Sequence, residues 1–136
     1  MLVKNPTGYA FNRTRQVYLA ARMSVAATHF SRLCGLMGTA AADFPPGQGL
    51  WIVPCRGIHT FAMNFPIDAV YLDSGKRVVY MAHHLRPWRM ARVILRASSV
   101  LELPGDTLQA SGTSVGDEIE IVLGGPRTTS PEAAGA

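Results

Sequence analysis

Cys55-Arg56-Gly57-Ile58-His59-Thr60-Phe61-Ala62-Met63-Asn64-Phe65-Pro66-Ile67-Asp68-Ala69-Val70-Tyr71-Leu72-Asp73 is the stretch around which this 136-residue chain is organised. Its second half decides the fold. Ile67 to Leu72 is apolar at nearly every position, the pattern of a strand covered on both faces. Pro66 opens it, since proline offers no ladder donor. Asp73-Ser74-Gly75 then supplies a turn, with Gly75 available for positive φ, and Val78 to Ala82 returns as the hairpin partner. The first half gathers a cysteine, a histidine and large apolar residues, and Asp68 interrupts the apolar run. Buried polar groups need partners, so these are the places to look for pairing or function.

Working outward, Gly49 to Val53 reads as a short apolar strand that Pro54 ends. From Thr14 to Val25 the apolar residues Val17, Leu19, Ala21, Met23 and Val25 alternate, which is strand periodicity, as one strand or as two joined near Ala20 and Ala21. Thr28 can cap a helix over about residues 28–37, with Phe30, Leu33, Cys34 and Met37 on one buried stripe and Gly38 as its stop. Residues 39 to 48 read as a surface loop. Val100 to Leu103 and Ile119 to Leu123 are further strands, separated by turns at Pro104-Gly105-Asp106 and Gly116-Asp117. Residues 1–13 read as an irregular lead-in, 14–123 as the domain, and 124–136 as a disordered tail rich in Gly, Pro, Ser, Thr and Ala. No internal repeat is present. One early helix followed by many short strands predicts a mainly β fold, a small single-domain sandwich or barrel.

Composition sets the outer limits. Hydrophobic residues make up 48% of the chain and charged residues 16%, which excludes a disordered protein and predicts a large core. Thirteen Lys and Arg against nine Asp and Glu give a formal net charge of +4. That balance permits an acidic partner without specifying one. No apolar run approaches a membrane-spanning length and no signal-peptide pattern opens the chain, so a cytoplasmic protein without a membrane partner is expected. Two cysteines, Cys34 and Cys55, are too few for a disulfide scaffold, and both are expected to be reduced.

Several separated motifs resemble those of the DUF192 (UPF0127) family. They are Arg32-Leu33-Cys34-Gly35-Leu36-Met37, Gly49-Leu50-Trp51-Ile52, Ile58 to Asp68 continuing through Leu72-Asp73, Leu101-Glu102-Leu103-Pro104-Gly105, and Gly116-Asp117. The resemblance covers roughly residues 14 to 122. Many members carry a Trp-Met-Lys-Asn-Thr-like segment where this chain has Phe61-Ala62-Met63-Asn64-Phe65, so it is similar to the branch with Ile-His-Thr-Phe. The resemblance implies a small β-sandwich or barrel-like domain and supplies no reaction.

Asp68 calls for a cation or several N–H donors, and the motif-matched Arg32 is the expected partner in a direct ion pair. Cys55 and His59 have Cys-x3-His spacing, with Cys34, His83 or His84 as further donors. The set lacks a paired-cysteine signature, so no metal and no cofactor are expected. His59 drawing a proton from Cys55 or Cys34, with Asp68 orienting the ring, would make a small hydrolytic or metal-assisted enzyme. Arg86, Arg89, Arg92 and Arg96 with Trp88 form either a basic helix face or a solvated loop over a tucked Trp88. The loop is preferred, with nucleic acid as the less favoured partner. Trp51 could line a pocket but is expected in the core. The preferred function is a binding or accessory module for a small molecule or acidic partner, using Arg32, Trp51, His59, Asp68, Arg86, Trp88 and Arg89. The alternative is an enzyme centred on Cys55, His59 and Asp68.

Overall fold

A computed structural model describes residues 8–124, the side chain of Phe30 excepted. Seven strands form one curled sheet: β1 (Gly8–Asn12), β2 (Val17–Ala26), β3 (Gln48–Ile52), β4 (Ile67–Leu72), β5 (Val78–Leu85), β6 (Ser99–Pro104) and β7 (Ile119–Leu123). Their spatial order is β5-β4-β6-β3-β2-β1-β7. Every pairing is antiparallel except β2 with β3. The edge strands meet where they begin: Val78 N–H donates to Asp117 O at 2.9 Å and Ile119 N–H to Lys76 O at 2.9 Å. The sheet therefore curls into a half-barrel, in agreement with the mainly β expectation.

The concave side encloses Leu19, Met23, Trp51, Val70, Leu101 and Leu103, and the short helix α2 (Thr107–Ser111) adds Leu108 to that core. Leu36, Phe44, Leu50, Ile52, Met63 and Ile67 pack together on the convex side, beside a further cluster of Ala69, Tyr71, Ala97 and Val100. β4 and β6 are thus covered on both faces and buried at every residue, which is why β4 lacks polar alternation.

The helix α1 (His29–Cys34) starts where expected. Thr28 Oγ1 accepts from Ser31 N–H, and Ser31 Oγ accepts in return from Thr28 N–H, a capping box. It stops at Gly35 and not Gly38, and Leu33 lies 64% exposed. The predicted buried stripe fails because the chain turns away after Cys34, and Leu36 is the side chain that enters the core.

The rest of the chain adds three departures from the sequence reading and decides one choice it left open. Residues 8–12, read as irregular, form β1 between β2 and β7; Tyr9 and Phe11 each meet Tyr18 edge to face. Val17–Ala26 is one continuous strand. In the β4–β5 turn positive φ falls on Lys76, while Asp73 Oδ1 accepts from the N–H groups of Gly75 and Arg77. Helix α2 follows the Pro104-Gly105-Asp106 turn within a segment too short to show a period. Of the tail expected from Gly124 onward, residues 125–136 lie outside the described residues.

Candidate functional site

A cleft of about 310 Å³ opens on the convex side between α1 and the loop that follows β3. That volume is at the small end for ligand pockets. Arg32, Leu33, Cys34 and Gly35 form one wall, Pro54 to His59 the other, and Ile52 and Glu102 the floor.

Glu102 is the residue that sequence reasoning passed over. It lies in the middle of β6, 2% exposed, and Oε1 has no hydrogen-bond partner among the described residues. Burial pushes its carboxyl up to about 8, so the group is protonated at neutral pH. Gly35 stands over it: a Cβ added there would come 3.6 Å from Oε1. The signal was a carboxylate between two leucines inside the Leu101–Gly105 motif.

Asp68 is elsewhere. Cross-strand register pairs Asp68 with Leu103 and Ala69 with Glu102, so the two carboxyls point to opposite faces of the sheet. Asp68 faces the concave core, where Oδ1 accepts from His84 N–H and Oδ2 from Leu108 N–H, each at 2.8 Å. The second bond satisfies one of the open donors at the start of α2, whose own N-cap Asp106 makes no side-chain bond. The expected Arg32–Asp68 ion pair is not formed, because backbone donors already hold the carboxylate and Arg32 sits across the sheet. Arg32 instead donates to Pro54 O and His29 Nδ1, each at 2.9 Å, tying α1 to the cleft wall. Trp51 is 8% exposed in the concave core, and Lys76 Nζ lies 5.7 Å from its ring centroid.

Cys55 and His59 do line one cleft, and each is engaged by backbone groups. Cys55 Sγ donates to Gly57 O at 3.1 Å, and burial raises its thiol above the ordinary value, favouring the unreactive protonated form. His59 Nδ1 accepts from Phe61 N–H at 3.1 Å, which leaves Nε2 as the protonated nitrogen, donating to Leu33 O at 3.0 Å. Both ring nitrogens are engaged, and the orienting partners are backbone groups, not Asp68. Among the described residues no three His, Cys, Asp or Glu side chains form a metal-ligating group.

The arginine segment is an irregular arm, with neither the helix nor the tucked Trp88 of the two readings. Thr60 pins it: Thr60 N–H donates to Arg89 O, Trp88 N–H donates to Thr60 O, and Thr60 Oγ1 donates to Arg86 O at 2.6 Å while accepting from Arg89 N–H. Trp88 is 64% exposed and stacks on Phe61, which stacks on His59, with centroids 6.0 and 4.9 Å apart. Met90, Val93 and Leu95 are also exposed along this arm. Ion pairs among the described residues join Arg13 to Glu120, Arg15 to Asp117 and Arg77 to Glu118, none of them on the arm. The sequence has no Asp or Glu between Asp43 and Asp68 or between Asp73 and Glu102, so the arm and the loop wall carry positive charge only.

Fold and cleft together define a small curled-sheet β domain with an open cleft on its convex side. The chain belongs to the DUF192 (UPF0127) family of uncharacterised proteins: residues 10–121 match the family model described as DUF192, Uncharacterized ACR. A UPF0127 protein of Thermococcus sibiricus is 30% identical over 125 residues, covering 88% of this chain and 79% of the relative. Another from Pyrococcus abyssi is 31% identical over 121 residues, covering 85% and 98%. Two crystal structures share the fold at a TM-score of 0.71. One is a protein of unknown function from Novosphingobium aromaticivorans, 18% identical, covering 84% of this chain and 83% of that one. The other is a putative transcription regulator from Sinorhizobium meliloti, 20% identical, covering 88% and 96%. No helix among the described residues is long and apolar enough to cross a membrane.

Proposed function

We propose that the chain is a non-catalytic binding module that holds a small ligand in the cleft between α1 and the 54–59 loop. The observation that carries this reading is Glu102: a buried carboxyl in the floor of an open cleft, whose Oε1 has no hydrogen-bond partner among the described residues. A buried polar group without a partner costs about 1–3 kcal/mol, and a ligand that bonds to it recovers that loss on binding. The enzyme reading centred on Cys55, His59 and Asp68 lacks support, since the thiol is protonated, the imidazole is engaged at both nitrogens and the aspartate belongs to the opposite face.

A thermal-shift screen of small acids, amines, alcohols and sugars tests it, because binding to the native state raises the unfolding midpoint. At least one class should raise the midpoint of the natural chain and not that of Glu102→Leu. A screen in which every effective compound stabilises both proteins equally contradicts the reading.

A further inference from the structure

The walls of the cleft indicate which ligand would satisfy Glu102. We propose that it binds a small organic carboxylate, its anionic head between the Glu102 carboxyl and the Arg32 guanidinium and its hydrocarbon part against Leu33, Ile52, Pro54 and Ile58. This rests on the binding-module reading and names the ligand class of the same site.

Charge comes first. Arg32 and Arg56 line the cleft, and Glu102 is its single acidic residue. A cationic ligand would meet two guanidinium groups, whereas an anion finds them unopposed by any ionised acid. Donor geometry agrees. Of the five N–H donors of Arg32, one on Nη1 goes to Pro54 O, one on Nη2 to His29 Nδ1 and Nε–H to Thr28 O, all neutral acceptors. One N–H on each terminal nitrogen is left for a carboxylate, the anion whose shape suits a guanidinium. A protonated Glu102 adds the O–H donor, and O–H···O⁻ bonds are among the strongest in proteins. The apolar wall residues suit a short alkyl or aryl group rather than a sugar or nucleotide, and the volume of about 310 Å³ limits its size.

The titratable groups that share this space are few. Cys55 faces Glu102 from the loop and Tyr71 from β4, and burial keeps both protonated. Cys34 and His59 line the same cleft from α1 and the loop. Ionisation of Glu102 above about pH 8 would place a negative charge on the cleft floor against the bound carboxylate.

The test compares butyrate, butylamine and butanol, which share one hydrocarbon and differ in the head, by calorimetry and thermal shift at constant ionic strength. Butyrate should bind at pH 7 and the other two should not. Its affinity should fall about tenfold between pH 7 and pH 9 as Glu102 ionises. In Glu102→Gln, which keeps a donor but cannot ionise, binding should persist and that fall should vanish. Arg32→Gln, a surface change, should weaken butyrate at least about tenfold. Unfolding midpoints establish that both variants fold. Selective binding of butylamine, or equal binding of butanol, overturns the ligand class and leaves the binding module standing. An unchanged pH profile in Glu102→Gln overturns the role of Glu102. A cleft that takes none of the three probes, while other compounds from the broader screen bind there, refutes the carboxylate assignment alone, and a cleft that takes nothing refutes both readings.

Discussion

Replacing Glu102 with Gln should change how the stability of this domain depends on pH. The side chain is 2% exposed and its carboxyl is raised from 4.5 to about 8 by burial. The folded protein keeps the proton up to about pH 8, whereas the unfolded chain gives it up near 4.5. The folded state thus binds more protons across that window, and stability falls as pH rises through it. Stability linked to this group is complete below about pH 4.5 and lost by about pH 8, at roughly 1.4 kcal/mol per pH unit. The loss is on the order of 3 kcal/mol at pH 7 and 5 kcal/mol at pH 9. Glu102→Gln cannot titrate and is free of it. Urea unfolding of both proteins from pH 5 to pH 9 measures the difference, and other titrating groups cancel between them. The natural chain should match the variant within about 1 kcal/mol at pH 5 and fall progressively below it toward pH 8. Parallel curves would refute the assignment of a buried, protonated Glu102.

Asp68→Ala should cost about 2–4 kcal/mol, because it strands the buried N–H of Leu108 and the part-buried N–H of His84, whereas Arg32→Gln should cost under about 1 kcal/mol; urea midpoints that moved equally for both would revive the ion pair. Cys55 should react with a thiol reagent at pH 7.5 at least about tenfold slower than an exposed cysteine, measured in a Cys34→Ser background, since burial holds its thiol protonated. Thr60→Val should cost about 1–3 kcal/mol and speed amide exchange at Arg89, whose N–H loses its acceptor; unchanged exchange there would show that Thr60 does not hold the arm. Asp117 accepts from Arg15, Asn12 and Ser114 and is lowered below the usual carboxylate range, so Asp117→Asn should remove a component of stability that is lost only as pH falls below about 4.

Local signals were legible in the sequence wherever the physics is local. The helix cap at Thr28, the doubly buried β4 and the hairpin turn after it are set by residues within a few positions of one another, and the structure keeps all three. β1 was missed because its strand character comes from pairing with β2 and β7, the latter more than 100 residues away. α2 was missed because five residues carry no helical period, and its start is held by Asp68 from a distant strand.

The site divides in the same way. Cys55 and His59 were singled out as unusual residues in one motif, and both do line the cleft. Choosing between two strand carboxylates required a fact that no local pattern contains: the β4–β6 register puts Asp68 inside the half-barrel and Glu102 outside it. Asp68 looked exceptional because it broke an apolar run, yet it is fully bonded. Glu102 sits between leucines in a strand, yet its Oε1 is buried without a partner among the described residues. Trp88 was misplaced for a related reason, since exposure of an aromatic depends on whether anything lies above the arm that carries it.

The most direct test is to titrate the Glu102 side-chain carboxyl by carbon-detected NMR, with and without butyrate. A midpoint near 8 in the free protein, moving higher when butyrate is present, is the predicted result. A midpoint near the ordinary value of a solvated glutamate, insensitive to butyrate, would contradict the claim that Glu102 is the buried donor at the floor of a binding cleft.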